Sequence, residues 1–294
     1  MNVPHEKKWG IYILDIGSEE VDLITSSNDP FNFLRLSNNS NRFVFSRKID
    51  GSSDEDEEIF IMNFDGTGLL RVTDNDFMDV YPCWSPEDTS LVFLSSRSAA
   101  LNLDLYIIKP DGSEESKFFD SGSHDADVHW NSDLITFTAN HGIWTIKSDG
   151  ISPIQITEHP DAGEWGAAPY PMGDYDPRLN PEINKIAFSR MTDNQNPHGG
   201  YDIYTVDLTS FELTNLTNTA YTQGLANWSM DGNYIVYEVA AIGSNGVFDI
   251  YISHVAGTDT ENVTPDYFPE NFLCHSPMFY DNNSKILFVG EWYE

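Results

Sequence analysis

Basic residues are scarce: 15 Lys and Arg stand against 47 Asp and Glu in 294 residues, a formal charge of −32. A field of that sign repels phosphate backbones and anionic headgroups, so the expectation is no nucleic acid and no membrane insertion or surface binding. Cysteine is nearly absent, with only Cys83 and Cys274. Two cysteines cannot staple a disulfide scaffold, so burial has to hold the chain. Long apolar runs are missing too; nothing approaches the roughly 18 residues of a spanning helix. Met1 to Lys8 carries no hydrophobic stretch and predicts no signal peptide. Sustained helical periodicity is lacking as well, which argues against an α/β fold. What is present is core material, 40% hydrophobic and 13% aromatic, enough to exclude a disordered chain.

Those aromatics recur in order. Tyr12, Phe60, Tyr106, Trp144, Tyr204 and Tyr251 each follow Ile or Leu. About ten residues later comes an apolar residue with Thr or Asp: Ile24-Thr25, Val72-Thr73, Phe119-Asp120, Ile156-Thr157, Leu216-Thr217 and Val263-Thr264. Leu36, Trp84, Trp130, Leu179, Trp228 and Phe279 mark a third position, spaced 46 to 51 residues apart. β-rich runs ending in Phe45, Phe93, Phe137, Phe188, Tyr237 and Phe288 mark a fourth. Asp-Gly pairs such as Asp65-Gly66 and Asp111-Gly112 supply the positive φ of tight hairpins. Four short strands repeated six times predict an all-β six-bladed β-propeller, a single domain over residues 1–294. The chain starts with the third and fourth strands of a blade and ends with the first and second. The termini should therefore share a two-plus-two closing blade, which removes two exposed edges.

The segments Tyr81-Pro-Cys-Trp-Ser-Pro-Glu87, Ile59-Phe-Ile-Met-Asn-Phe-Asp-Gly66 and Leu70-Arg-Val-Thr73 resemble the repeats of TolB-type propellers. Similar repeats occur in the propellers of prolyl-oligopeptidase-type enzymes and in oligogalacturonate lyases. The resemblance spans nearly the whole chain. It implies a TolB-like binding module with a protein or small-molecule ligand, in a periplasmic or extracellular setting. TolB's extra N-terminal domain and a peptidase domain are both expected to be missing. No Gly-x-Ser-x-Gly elbow occurs, which excludes a Ser hydrolase of that type.

Function on a rigid scaffold usually lies in its loops. The long insertions Lys48–Glu57, Glu158–Gly173 and Met191–Gly200 all map to one expected face, as do His124, His141, His159, His198 and His275. Five residues before each third-position anchor stand Phe31, Asp79, Asp125, Asp174, Gln223 and Cys274. Three successive blades thus place Asp at one height, at the expected tunnel mouth. Asp127 and Asp176 follow two positions later, and His124 and His129 flank the first of these pairs. Converging carboxylates repel unless protonated or neutralised. An oxygen-rich ring predicts a divalent cation, Ca²⁺ first and Mg²⁺ or Mn²⁺ behind it. Strand-end capping by the same aspartates is the structural alternative.

In the enzyme alternative, a metal-dependent hydrolase or lyase, His124, His129 or His275 supplies the general base or a further ligand. Its substrate would be a phosphotriester, a lactone or a uronate. The resemblance to oligogalacturonate lyases implies a tunnel-mouth metal with histidines. Trp165, Tyr170 and Tyr175 are candidates to stack on a ligand, and Arg178 to hold an anionic group. Arg47, Arg97 and Arg190 end second strands, where they balance carboxylates. The acidic run Asp54-Glu-Asp-Glu-Glu58 lacks the glycine turn of an EF-hand and reads as a solvated loop.

Overall fold

The computed structural model describes residues 6–49, 56–99, 102–240 and 248–293. Most of the predicted insertion Lys48–Glu57, including the start of the acidic run at Asp54, lies outside the described residues.

The chain opens with β1 (Lys7–Asp15) and β2 (Val21–Ser27). Then β3 (Asn32–Leu36), β4 (Arg42–Lys48), β5 (Glu57–Asn63) and β6 (Leu70–Arg71) pair in sequence order into one sheet. A second sheet takes β7 (Asp79–Trp84), β8 (Leu91–Ala99), β9 (Asn102–Ile108) and β10 (Ser116–Phe119). A third takes β11 (Asp125–Asn131), β12 (Leu134–Ala139), β13 (Gly142–Lys147) and β14 (Ile154–Gln155). A fourth takes β15 (Asp174–Leu179), β16 (Lys185–Asp193), β17 (Gly200–Asp207) and β18 (Leu213–Asn215). A fifth takes β19 (Thr222–Trp228), β20 (Tyr234–Ala240), β21 (Phe248–His254) and β22 (Thr258–Asn262). Finally β23 (Leu273–Tyr280) and β24 (Lys285–Tyr293) join the first two strands in the order β2–β1–β24–β23. Six four-stranded sheets, one closed by both termini, make a six-bladed β-propeller, as the repeat predicts.

Two compact units divide the chain. A terminal unit holds Met1–Pro30, Trp165–Pro171 and Asn180–Glu294; a middle unit holds Phe31–Glu164 and Met172–Leu179. Among the described residues no helix is long and apolar enough to cross a membrane.

The repeated aromatics turn out to be cross-strand partners. Phe45 pairs with Phe60, Phe93 with Tyr106, Phe137 with Trp144, Phe188 with Tyr204, Tyr237 with Tyr251 and Phe288 with Tyr12. The five Phe of the second strands are fully buried, and Tyr237 nearly so. Directly opposed rings are the unit of sheet stabilisation, which is why both positions recur together.

The same rings explain a feature that the repeat does not announce. In first strands, residues Phe33, Tyr81, Asp127, Asp176, Leu225 and Ser276 all have φ between 51° and 56°. Each lies three residues before its anchor. In five of the six the register slips at that point, so two residues oppose one. The one they oppose is Phe45, Phe93, Phe137, Tyr237 or Phe288. A β-bulge therefore sits over each of these five second-strand rings, and the left-handed residue costs backbone energy that the buried ring offsets.

The apolar-Thr pair has an equally local cause. Thr73, Thr157, Thr217 and Thr264 accept the backbone N–H of Ile59, Ile143, Ile203 and Ile250 at 2.7–3.0 Å. Each hydroxyl ties the strand-four exit to strand three, fourteen residues back.

Candidate functional site

The three aligned aspartates, Asp79, Asp125 and Asp174, are fully buried in the middle unit. Each has its own protein partner. Asp79 Oδ2 accepts from Arg97 Nη2 at 2.6 Å and from Asn75 Nδ2 at 2.8 Å. Asp125 Oδ1 accepts from the Ser121 hydroxyl, and Asp174 Oδ2 accepts from Thr157 Oγ1 at 2.6 Å. Thr157 is the hydroxyl that also holds Ile143 N–H, so Asp174 locks a strand-four exit to the next first strand. In the terminal unit Gln223 repeats this link, with Thr217 Oγ1 at 3.3 Å from its Oε1. Among the described residues no three His, Cys, Asp or Glu side chains are grouped to hold a metal ion. Two oxygens of the aligned aspartates nevertheless lack a hydrogen-bond donor among those residues, Asp79 Oδ1 and Asp125 Oδ2.

Burial pushes Asp125 up to about 7; the Ser121 hydrogen bond opposes this and the Asp104 charge adds to it. An acid raised in the folded state contributes most when protonated, below its ordinary value near 4, and loses that contribution as pH rises towards 7. Asp125→Asn should therefore stabilise the protein at pH 8, by roughly 2–4 kcal/mol, since each tenfold change in proton affinity is worth about 1.4 kcal/mol. The gain should shrink towards pH 4. Thermal melts of both proteins across that range check this, and a pH-independent difference would refute it.

Asp127 occupies a bulge position, and Asp176 has the equivalent place in β15 with the same left-handed backbone. Asp127 Oδ2 accepts from Thr138 Oγ1 at 3.0 Å and from the Asp176 N–H at 3.1 Å. Burial raises the Asp127 carboxyl, against hydrogen bonds from Asp176, Thr138 and Tyr81.

The three candidate histidines separate. His124 is exposed. His129 Nδ1 accepts the Leu179 N–H at 3.3 Å, and burial drives its pKa down to about 3, so it is neutral and has one nitrogen committed. Cys83, its equivalent one sheet earlier, accepts Trp130 N–H on Sγ at 3.3 Å. This position stitches successive first strands together. His275 lies within β23 in the terminal unit, with Nδ1 3.8 Å from Glu238 Oε2. Burial lowers its pKa, but the Glu238 hydrogen bond and charge outweigh that and raise it overall. Glu238 also accepts the Ser276 N–H.

Of the predicted ligand residues, Arg178 is 2% exposed and donates Nη1 to the Pro177 carbonyl at 2.8 Å, too deep to meet a surface ligand. Tyr175 is half-buried, its hydroxyl 3.0 Å from where a Cβ on Gly173 would stand. Trp165 and Tyr170 are 70% and 58% exposed. Their segment is pinned in the terminal unit, where Ala167 and Ala168 N–H both donate to the Asn194 carbonyl at 2.6 and 3.0 Å. Arg47, Arg97 and Arg190 lie over the paired aromatic columns, 5.1–5.8 Å from ring centres. Arg97 also bridges Asp79 and Glu115. Arg35 went unnoticed in the sequence, because one arginine beside an anchor carries no spacing signal.

No family model matches the sequence, and no curated protein matches it. Solved structures do. A structure from Agrobacterium tumefaciens assigned to TolB superposes with a TM-score of 0.73 at 13% identity, over 97% of this chain and 99% of that one. The fold is TolB-like. TolB from Acinetobacter baumannii matches the TolB-like propeller with a TM-score of 0.62 at 12% identity, covering 99% of this chain and 78% of that one. An oligogalacturonate lyase solved with manganese gives 0.60 at 12% identity, over 96% and 82% of the two chains.

Proposed function

We propose that this TolB-like propeller is a binding module that takes a protein partner on the surface carrying Trp165 and Tyr170. The observation that carries the reading is those two exposed rings on a backbone held by Asn194. Large rings carried on a held backbone lower the ordering cost of association, and aromatic residues are enriched at interfaces. A nidogen–laminin complex is among the structural neighbours, at 10% identity and a TM-score of 0.62, which accords with protein recognition by this fold. The aligned aspartates, each engaged by Arg97, Ser121 or Thr157, favour scaffolding over catalysis.

A divalent cation, Ca²⁺ first, is the second element of the proposal. It is supported by the donor-free buried oxygens of Asp79 and Asp125, since carboxylate oxygens of that kind suit a hard cation. The residues fit single carboxylate contacts and not a three-aspartate cage. In the enzyme alternative this cation serves hydrolysis or lysis of a phosphotriester, lactone or uronate.

The test uses a photo-cross-linking residue at 165 or 170, with position 213 as an exposed control. The module reading expects a discrete protein adduct at 165 and 170 and none at 213, competed away by the unlabelled wild-type chain. It also expects no turnover of the three substrate classes with Ca²⁺ or Mn²⁺. Metal-dependent turnover lost in Asp125→Asn would overturn it in favour of the enzyme. For the cation, millimolar Ca²⁺ should raise the melting midpoint of the wild type and not of Asp125→Asn; equal shifts would remove it.

A further inference from the structure

Between the fifth sheet and the closing sheet a carboxylate is buried with a single basic group beside it. Glu238 on β20 is 4% exposed, and β20 packs against β23 within the terminal unit. Its Oε1 accepts the Ser276 N–H, so β20 holds the left-handed bulge residue of β23. Its Oε2 has His275 Nδ1 at 3.8 Å. Among the described residues no lysine or arginine pairs with Glu238. A carboxylate taken out of water is strongly destabilising unless a countercharge meets it. His275 is the group placed to supply that charge, and Phe248 of β21 lies beside its imidazole with ring centres 5.5 Å apart.

The other charges around β23 have their own partners. On β24, Glu291 Oε1 pairs with Lys7 Nζ at 2.6 Å, and Oε2 accepts the Trp9 indole N–H at 3.1 Å. These two charges act on His275 in opposite senses. β19 carries no ionisable residue. On β21, Asp249 bears on the neighbouring Cys274 and accepts from Asn262 Nδ2 at 3.5 Å. Burial pushes the Cys274 thiol and the Tyr251 hydroxyl up, and Tyr237 up to about 12. Tyr234 and His254 meet edge-on at 5.2 Å, at the opposite end of β20 and β21. The proton that matters to this seam is therefore the one on His275.

The sign follows from the surroundings. Burial disfavours the charged imidazole, but the Glu238 hydrogen bond and charge outweigh it and hold the proton above the ordinary value of 6.5. A base raised in this way contributes fully below its ordinary value, and the contribution is lost as pH climbs through the raised one.

We propose that His275 and Glu238 form a proton-operated latch between the fifth sheet and the closing sheet. Holding the proton, the pair clamps β23 to β20. Without it, Glu238 stands uncompensated, and the seam opens to hydrate the carboxylate and frees the Ser276 N–H. The latch is closed in neutral and mildly acidic solution and released in alkaline solution. It joins two sheets of the terminal unit and does not rest on the Trp165–Tyr170 reading.

The test follows the intact chain by NMR. The His275 ring should titrate above 6.5 in the wild type and fall to 6.5 or below in Glu238→Gln, which keeps an acceptor for the Ser276 N–H without its charge. Hydrogen exchange at pH 5.5 and 8.5, corrected for the intrinsic rate, gives the mechanical readout. Protection of the Ser276 amide should drop at least about tenfold at the higher pH, while amides of β16 and β17 keep theirs. In Glu238→Gln that drop should vanish, and in His275→Gln protection should be low at both values. A wild-type His275 that titrates at 6.5 or below overturns the proposal. So does equal Ser276 protection at the two pH values, or a drop that persists in Glu238→Gln. The wild-type titration needs no variant, so misfolding of His275→Gln cannot obscure the result.

Discussion

Deleting Met1 to Thr25 is expected to abolish the cooperative melting transition, not to lower it by one blade's worth. β1 is the interior strand of the closing sheet, paired on one side to β2 and on the other to β24 from Lys7↔Tyr293 to Asp15↔Lys285. Ile11 and Leu14 are at most 1% exposed, and full burial of each stabilises by about 1.5–3 kcal/mol. Tyr12 stacks on Phe288 at 5.4 Å and meets Phe272 and Trp292 edge-on. Its loss uncovers those rings and a bare edge on β24 that invites aggregation. Together these terms match the whole margin of roughly 5–15 kcal/mol that folded domains possess. Calorimetry and size-exclusion chromatography check it: the truncated chain should show no sharp transition and should self-associate. A full-length midpoint in the truncated protein would refute the closing-blade account.

That closure was legible in the sequence because the repeat carries its own phase. Opposed aromatics such as Phe93 and Tyr106 mark adjacent strands at every repeat, and the count of repeats fixes the blades. The bulges were not legible. Their left-handed residues are Phe, Tyr, Asp, Leu and Ser, with none of the glycines that advertise positive φ. The Asp79–Asp125–Asp174 alignment was read correctly as a repeat position. Its carboxylates answer to partners outside the aligned position, namely Arg97, Asn75, Ser121 and Thr157. Carboxylate spacing reveals shared height but not who reaches each oxygen. His129 shows the same limit: its neighbours in sequence suggested a site, while Leu179, fifty residues away, takes its nitrogen.

Phe93→Ala should be the most damaging single substitution in the middle unit. The ring is fully buried, pairs with Tyr106 across the sheet, and lies beneath the Arg97 guanidinium at 5.8 Å. It is also the one residue facing Tyr81 and Pro82 at the bulge between Val80 and Cys83. Removing it leaves a cavity under a strained backbone that relies on the ring for support, and Phe→Ala in cores costs about 3–5 kcal/mol. Arg97 then keeps only the Tyr106 ring, at 5.2 Å, which loosens the hold on Asp79 Oδ2. The exposed Phe77, at 42%, is the control, and Phe77→Ala should stay within about 0.5 kcal/mol of wild type. Urea unfolding of both variants gives the comparison. Phe93→Leu should recover part of the loss, because leucine refills volume without restoring the tilted ring contact with Tyr106. A loss below about 1 kcal/mol for Phe93→Ala would mean that the bulge stands without the ring, and that hydrogen bonding of the first strand alone sets its geometry.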